Sequence, residues 1–164
     1  MKKIIAIFIV FLSLNACDTK SCEEIICGQN QVCNRGICAC LNGYEGTNCE
    51  DLASDKYVGN FNISQSCQQG NGNFVSFGTI AKGTSQVNEL LFFNFLGLGQ
   101  TAYAYIATNQ NGQGNYVQFP NQNLGASTIA GEGYYQDFGG SGRLSIDIQL
   151  TQNNQTSLCT YTYY

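Results

Sequence analysis

The 164-residue chain contains no histidine, no tryptophan, a single proline, and a single methionine that opens the sequence. Without histidine it lacks the commonest general base near neutral pH and the commonest transition-metal ligand. Charge is scarce as well, with 7 basic residues against 11 acidic ones. No basic cluster is present to follow a phosphate backbone, which excludes nucleic acid as an expected partner. Beyond the first residues long apolar runs are missing too. The stretch Val87 to Leu98 is short and broken by Asn88, Glu89 and Asn94, whereas a membrane-spanning helix needs about 20 apolar residues.

What is present starts with Met1-Lys2-Lys3 and the eleven mostly apolar residues Ile4 to Leu14. A positive start followed by an apolar segment of that length reads as a secretory signal. Leu14-Asn15-Ala16-Cys17 resembles the lipobox of bacterial lipoproteins. The resemblance implies a signal peptide over 1–16, lipidation of Cys17, a tether over 17–21, and an exported chain anchored to a bacterial membrane, at the outer membrane or cell surface. A plain signal peptide cut after Ala16 is the competing reading. Each acyl CH₂ buried in lipid contributes about 0.8 kcal/mol. Replacing Cys17 with Ala should therefore move the protein from the membrane pellet to the supernatant; a variant that still pellets contradicts the anchor. From Cys17 onward Lys20, Arg35, Lys56, Lys82 and Arg143 face all eleven acidic residues, a net charge of −6 that repels polyanions.

The nine cysteines fall into groups of one, six and two. Cys17 is the first group. The second has the spacing Cys22-x4-Cys27-x5-Cys33-x4-Cys38-x-Cys40-x8-Cys49, six cysteines in 28 residues. A segment this short cannot bury a core and needs disulfides instead. Its ending, Cys38-Ala-Cys40-Leu-Asn-Gly43-Tyr44-Glu-Gly46-Thr-Asn-Cys49, is similar to that of EGF-like domains. The resemblance implies an EGF-like domain over 22–49 with Cys22 paired to Cys33, Cys27 to Cys38 and Cys40 to Cys49. Gly43 and Gly46 suit tight turns, and Tyr44 is expected to pack on the neighbouring chain. A calcium-binding module of this family would carry ligands before the first cysteine. Here only Asp18 fits and Lys20 puts a cation among the expected ligands, so no calcium is expected. Oxidised cysteines in an exported chain are equally unsuited to zinc. No cofactor and no metal are expected.

The third group, Cys67 and Cys159, brackets a β-patterned segment expected to fold as one domain over 52–164. Arg143 to Thr151 is the clearest run: Leu144, Ile146, Ile148 and Leu150 alternate with Ser145, Asp147, Gln149 and Thr151. Period two over nine residues predicts a half-buried strand. Similar runs cover Tyr57–Ser66, Phe74–Ala81, Val87–Leu96, Thr101–Thr108, Asn115–Phe119, Ser127–Gln136 and Ser157–Tyr164. Turn-rich connectors such as Asn109-Gln110-Asn111-Gly112 join them, and no capped helical period intervenes. The fold class expected is all-β, an antiparallel meander of about eight strands. A closed barrel is the expected form, with a two-sheet sandwich as the alternative that satisfies the same pattern. A Cys67–Cys159 bond would tie the ends of the meander together. Tyr57-Val58-Gly59-Asn60-Phe61 resembles the opening of lipocalin-like barrels, though over five residues only.

Two readings of function remain at this point. The 26 Asn and Gln residues beyond residue 52, together with the tyrosines, suit an outer face that binds protein or glycan; they equally suit a low-charge solvent face. Alternatively Phe92, Phe93, Phe95, Tyr103 and Tyr105 are expected to line a cavity for a small apolar ligand, against the simpler reading that they are core. The acidic side chains Glu89, Glu132 and Asp137 are scattered, and nothing supplies a nucleophile with a base, so no enzyme is expected.

Overall fold

The computed structural model describes residues 22–68, 74–109 and 111–164; the leader, Cys17 and the tether lie outside the described residues. The small N-terminal part contains two hairpin-like pairs, β1 (Gln31–Asn34) with β2 (Ile37–Cys40) and β3 (Tyr44–Glu45) with β4 (Asp51–Leu52). Disulfides join Cys22 to Cys33, Cys27 to Cys38 and Cys40 to Cys49. A 3-10 turn, Ala53–Lys56, leads into the second part.

That part is a closed eight-stranded antiparallel barrel. Its strands are β5 (Gly59–Cys67), β6 (Phe74–Lys82), β7 (Glu89–Phe95), β8 (Gln100–Ala107), β9 (Tyr116–Leu124), β10 (Ser127–Asp137), β11 (Gly142–Gln152) and β12 (Gln155–Tyr163). Each pairs with the next, and β12 returns to pair with β5, so the sandwich alternative is set aside. Closure leaves no free sheet edge. Cys159 lies directly opposite Cys67 in this seam, and the two are bonded.

Eight strands enclose a space that side chains can fill. Along β11 Leu144, Ile146 and Ile148 are buried while Asp147 and Gln149 are exposed. Along β8 the inward positions are Ala102, Ala104 and Ile106. The two alanines oppose Phe92 and Leu90 on β7, which leaves room for rings. Phe92 lies 4.9 Å from Phe119, tilted against it, and 5.7 Å from Phe95, edge-to-face, by ring centroids, and Tyr161 and Tyr163 complete the cluster. The interior is thus an aromatic core.

β9 runs beyond the expected end at Phe119, straight through Pro120. Between Phe119 opposite Gly131 and Gln122 opposite Ile129, two residues of β9 face one of β10, a bulge that relieves Pro120 of ladder duty. On its other side the β8–β9 register covers Tyr105–Gln118, Ile106–Val117 and Ala107–Tyr116. Farther along, the side chain of Gln122 substitutes for a backbone partner. Its Oε1 accepts from the Tyr103 N–H at 2.9 Å and its Nε2 donates to the Tyr103 carbonyl at 2.7 Å. Gln122 is 7% exposed. Gln122→Ala should cost about 2–3 kcal/mol in chemical denaturation, because both Tyr103 backbone groups lose their partner.

The small part closes one end of the barrel. Ala53 and Tyr57 belong to the same buried cluster as the barrel interior. The Tyr57 hydroxyl donates to the Gly114 carbonyl at 2.7 Å, and burial pushes its pKa far above the usual phenol range. Thr108 donates from Oγ1 to the Tyr44 carbonyl at 3.0 Å and from its N–H to Asn42 Oδ1 at 3.2 Å. Gly46 N–H donates to the Gly112 carbonyl at 3.2 Å. Gly43, at φ 93°, sits so close to the β6–β7 loop that a Cβ would stand 2.5 Å from Val87 Cγ1. The positive φ and the close approach both require glycine there. The two parts are docked, with the Gly43–Tyr44 turn at the contact.

Candidate binding surfaces

The structure divides the residues expected to line a cavity. Phe92 and Phe95 are buried in the core at 1% exposure each. Phe93 is exposed on the outer wall, and Tyr103 and Tyr105 lie half-buried on the outward side of β8, where their rings meet at 5.8 Å. The cause is local. Alternation sends Leu90 and Phe92 inward and Phe93 outward; an irregularity between Phe92 and Phe95, with Asn94 at φ 48°, then turns Phe95 back inside. On β8 the alanines hold the inward positions, so the tyrosines face out. The five residues do not share a cavity.

Glu89, Glu132 and Asp137 also stay apart. Glu89 Oε2 accepts from the Ser85 N–H at 3.1 Å and ties the β6–β7 loop. Glu132 accepts from the Tyr116 hydroxyl at 2.5 Å, and that bond raises the Tyr116 pKa. Asp137 Oδ1 accepts from the Gly140 N–H at 3.0 Å, at the β10–β11 turn.

A broad concavity lies where the small part meets the barrel. It encloses about 710 Å³ and is walled on one side by Cys38 to Asp51 and on the other by the β8–β9 loop and the end of β10. Docking creates it: the β8–β9 loop leans on the small part at Gly112, where a Cβ would lie 3.2 Å from the Gly46 carbonyl. Asn111, Gln113, Asn115, Thr47, Asp51, Tyr135 and Asp137 present amides, a hydroxyl, carboxylates and one ring. Lys56 holds the floor. Its Nζ donates to Glu45 Oε2 at 2.5 Å and to Asn115 Oδ1 at 2.6 Å, and lies 5.4 Å from the Tyr135 ring centroid. Glu45 accepts a further bond from the Gly114 N–H at 3.1 Å. This cation is thereby neutralised within the structure, leaving Asp51 and Asp137 to set the sign of the rim. Burial, then the charges of Asp137 and Glu45, raise the Tyr135 pKa, so its hydroxyl stays neutral.

Apolar rings also stand on the outer wall. Phe77 is 79% exposed, and Phe93 opposes Thr79 beside it. Tyr116 and Tyr134 form an edge-to-face pair at 5.7 Å.

Sequence reasoning missed the groove. Its residues belong to segments about 70 apart in the chain, and the single signal was the β8–β9 connection, Thr108 to Asn115, which is longer than a two-residue hairpin needs.

No family model and no curated protein matches the chain. A crystal structure of a structural-genomics protein of unknown function from Bacteroides ovatus is similar at 6% identity and a TM-score of 0.39. The likeness covers 75% of this chain and 52% of that one, so the chain spans about half the length of that structure.

Proposed function

We propose that the chain is an exported, lipid-anchored bacterial protein in which an EGF-like module and the barrel together hold a groove that binds a neutral glycan, without catalysis. The observation that carries the reading is the groove lining: amides, a hydroxyl and carboxylates around one tyrosine ring, with its lysine already paired. A saccharide offers many hydroxyls and few charges, and such a wall meets it with donors, acceptors and an apolar ring face. Asp51 and Asp137 at the rim disfavour sulfated or uronic chains.

The anchor reading is supported by the lipobox-like Leu14-Asn15-Ala16-Cys17 and by the barrel wall. Asn60 and Asn62 on β5, Asp147 and Gln149 on β11 and Thr160 on β12 are exposed on the outside. A membrane-spanning barrel would present an apolar band there, so attachment falls to the lipid. The EGF-like reading is supported by the pairing of the six cysteines and by the β1–β2 hairpin.

The test is binding of the oxidised chain to an array of neutral and anionic oligosaccharides. Neutral chains should be retained and anionic ones not. The double variant Gln113→Ala, Asp137→Ala should weaken binding about tenfold, the effect of roughly 1.4 kcal/mol. Retention of proteins alone, with no saccharide bound, overturns the glycan assignment.

A further inference from the structure

The far end of the barrel holds a second cavity, away from the groove and unconnected with the glycan reading. It measures about 330 Å³ and is lined by Ile63, Gln65, Ser76, Leu96, Gly97, Tyr161 and Tyr163. That is roughly eleven liquid-water volumes, at the lower end of small-molecule sites.

Two features of the lining suit a ligand. Tyr161 and Tyr163 are 3% and 2% exposed as residues, and among the described residues neither hydroxyl has a protein hydrogen-bond partner; no buried side-chain oxygen is left unpaired, so the surface that each residue keeps is at its hydroxyl, open to the cavity. Tyr57, equally buried as a residue, instead spends its hydroxyl on the Gly114 carbonyl, whereas those of Tyr161 and Tyr163 stay free to donate into the cavity. Phenylalanine at either position would fill the core with no polar atom to satisfy. Both residues line the cavity, and consecutive inward positions of β12 therefore bring two hydroxyl donors to it. Burial raises the Tyr161 pKa to about 12 and that of Tyr163 further, with Tyr161 facing it, so both remain protonated donors.

The second feature is the lip. Leu96 adopts φ 57°, a conformation rare for a branched residue, and packs against the core cluster at the cavity wall. Gly97 N–H donates to the Asn94 carbonyl at 3.0 Å and Gly99 N–H to Asn94 Oδ1 at 2.9 Å, which holds the turn in place. An apolar side chain is kept at the mouth against its backbone preference.

None of the lining residues is charged. A charged ligand would lose its hydration without compensation. Gln65 donates through Nε2 to Cys67 Sγ at 3.0 Å, which leaves Oε1 as an acceptor. We propose that this pocket binds a small neutral molecule with an apolar body and a carbonyl-type oxygen, held by hydrogen bonds from Tyr161 and Tyr163.

Acetophenone and ethylbenzene are the probes, nearly equal in shape and differing in the acceptor oxygen. The chain carrying Cys17→Ala, which retains every described residue, is labelled and titrated by NMR. Acetophenone should shift the Tyr161, Tyr163, Ile63 and Leu96 resonances and bind about tenfold more tightly than ethylbenzene, the difference expected from two hydrogen bonds. Tyr161→Phe with Tyr163→Phe should abolish that preference while the melting temperature stays level or rises. Absence of shifts at these residues, equal affinity for the two probes, or a lower melting temperature in the double variant would each overturn the proposal. The groove residues should not respond, so this outcome is read separately from glycan binding.

Discussion

Tyr57→Ala should destabilise the protein by about 3–5 kcal/mol, the range for deleting a buried ring from a core that cannot collapse around the gap. Tyr57 is 1% exposed and packs edge-to-face on Tyr135 at 5.2 Å, with Ala53 beside it in the same cluster. It stands at the mouth of the barrel that the small part covers. Its removal opens a cavity there and strips the Gly114 carbonyl of its donor. Tyr57→Phe separates the two effects, keeping the ring and losing the hydrogen bond at about 1–2 kcal/mol. Denaturant titration of both variants reads the difference. A spacer that merely strung the two parts together would not need a residue buried between them, so a loss below about 1 kcal/mol for Tyr57→Ala would contradict the docked arrangement.

The second large effect belongs to the seam. Cys67 and Cys159 are 92 residues apart in sequence and opposite one another in the β5–β12 pair. In the chain-entropy account, opening a loop of that length removes about 4–5 kcal/mol, against under about 3 kcal/mol for each bond of the small part, whose separations are 11, 11 and 9. Cys67→Ala with Cys159→Ala should therefore cost more than opening Cys22–Cys33. The barrel ladder survives in the variant, so the protein should still fold in the absence of denaturant, with its unfolding midpoint lowered and its denaturant slope raised by a more extended unfolded state. Equal midpoints for the two variants would contradict the seam's role.

The strands were legible because a barrel wall is half-buried everywhere, and half-burial imprints period two on sequence. Arg143 to Thr151 lies within β11 with its inward face as expected. Where the period broke, the reading broke with it. The expected strand stopped at Phe119, just before Pro120, whereas a bulge lets β9 run on to Leu124; a bulge depends on the partner strand and leaves no mark of its own. Phe93 and Phe95 share one parity, yet the irregularity after Phe92 brought Phe95 inside while alternation kept Phe93 outside, which no single alternation describes. The barrel was the expected form, but strand alternation is the same in a sandwich, and the pairing of β12 with β5 decides it. The groove was hidden for a different reason. It arises from docking Gly46 against Gly112 and Lys56 against Asn115, contacts between segments whose separate patterns announce only turns.

The most direct measurement is isothermal titration of the oxidised chain with neutral oligosaccharides, alongside the same titration of the Gln113→Ala, Asp137→Ala variant. Both side chains are exposed, and the turn loses only the Asp137 bond to the Gly140 N–H, so melting temperatures should differ little. The parent chain should bind, and the variant should lose about tenfold in affinity. Absence of binding to any neutral saccharide, or affinity unchanged by the substitutions, would contradict the glycan reading.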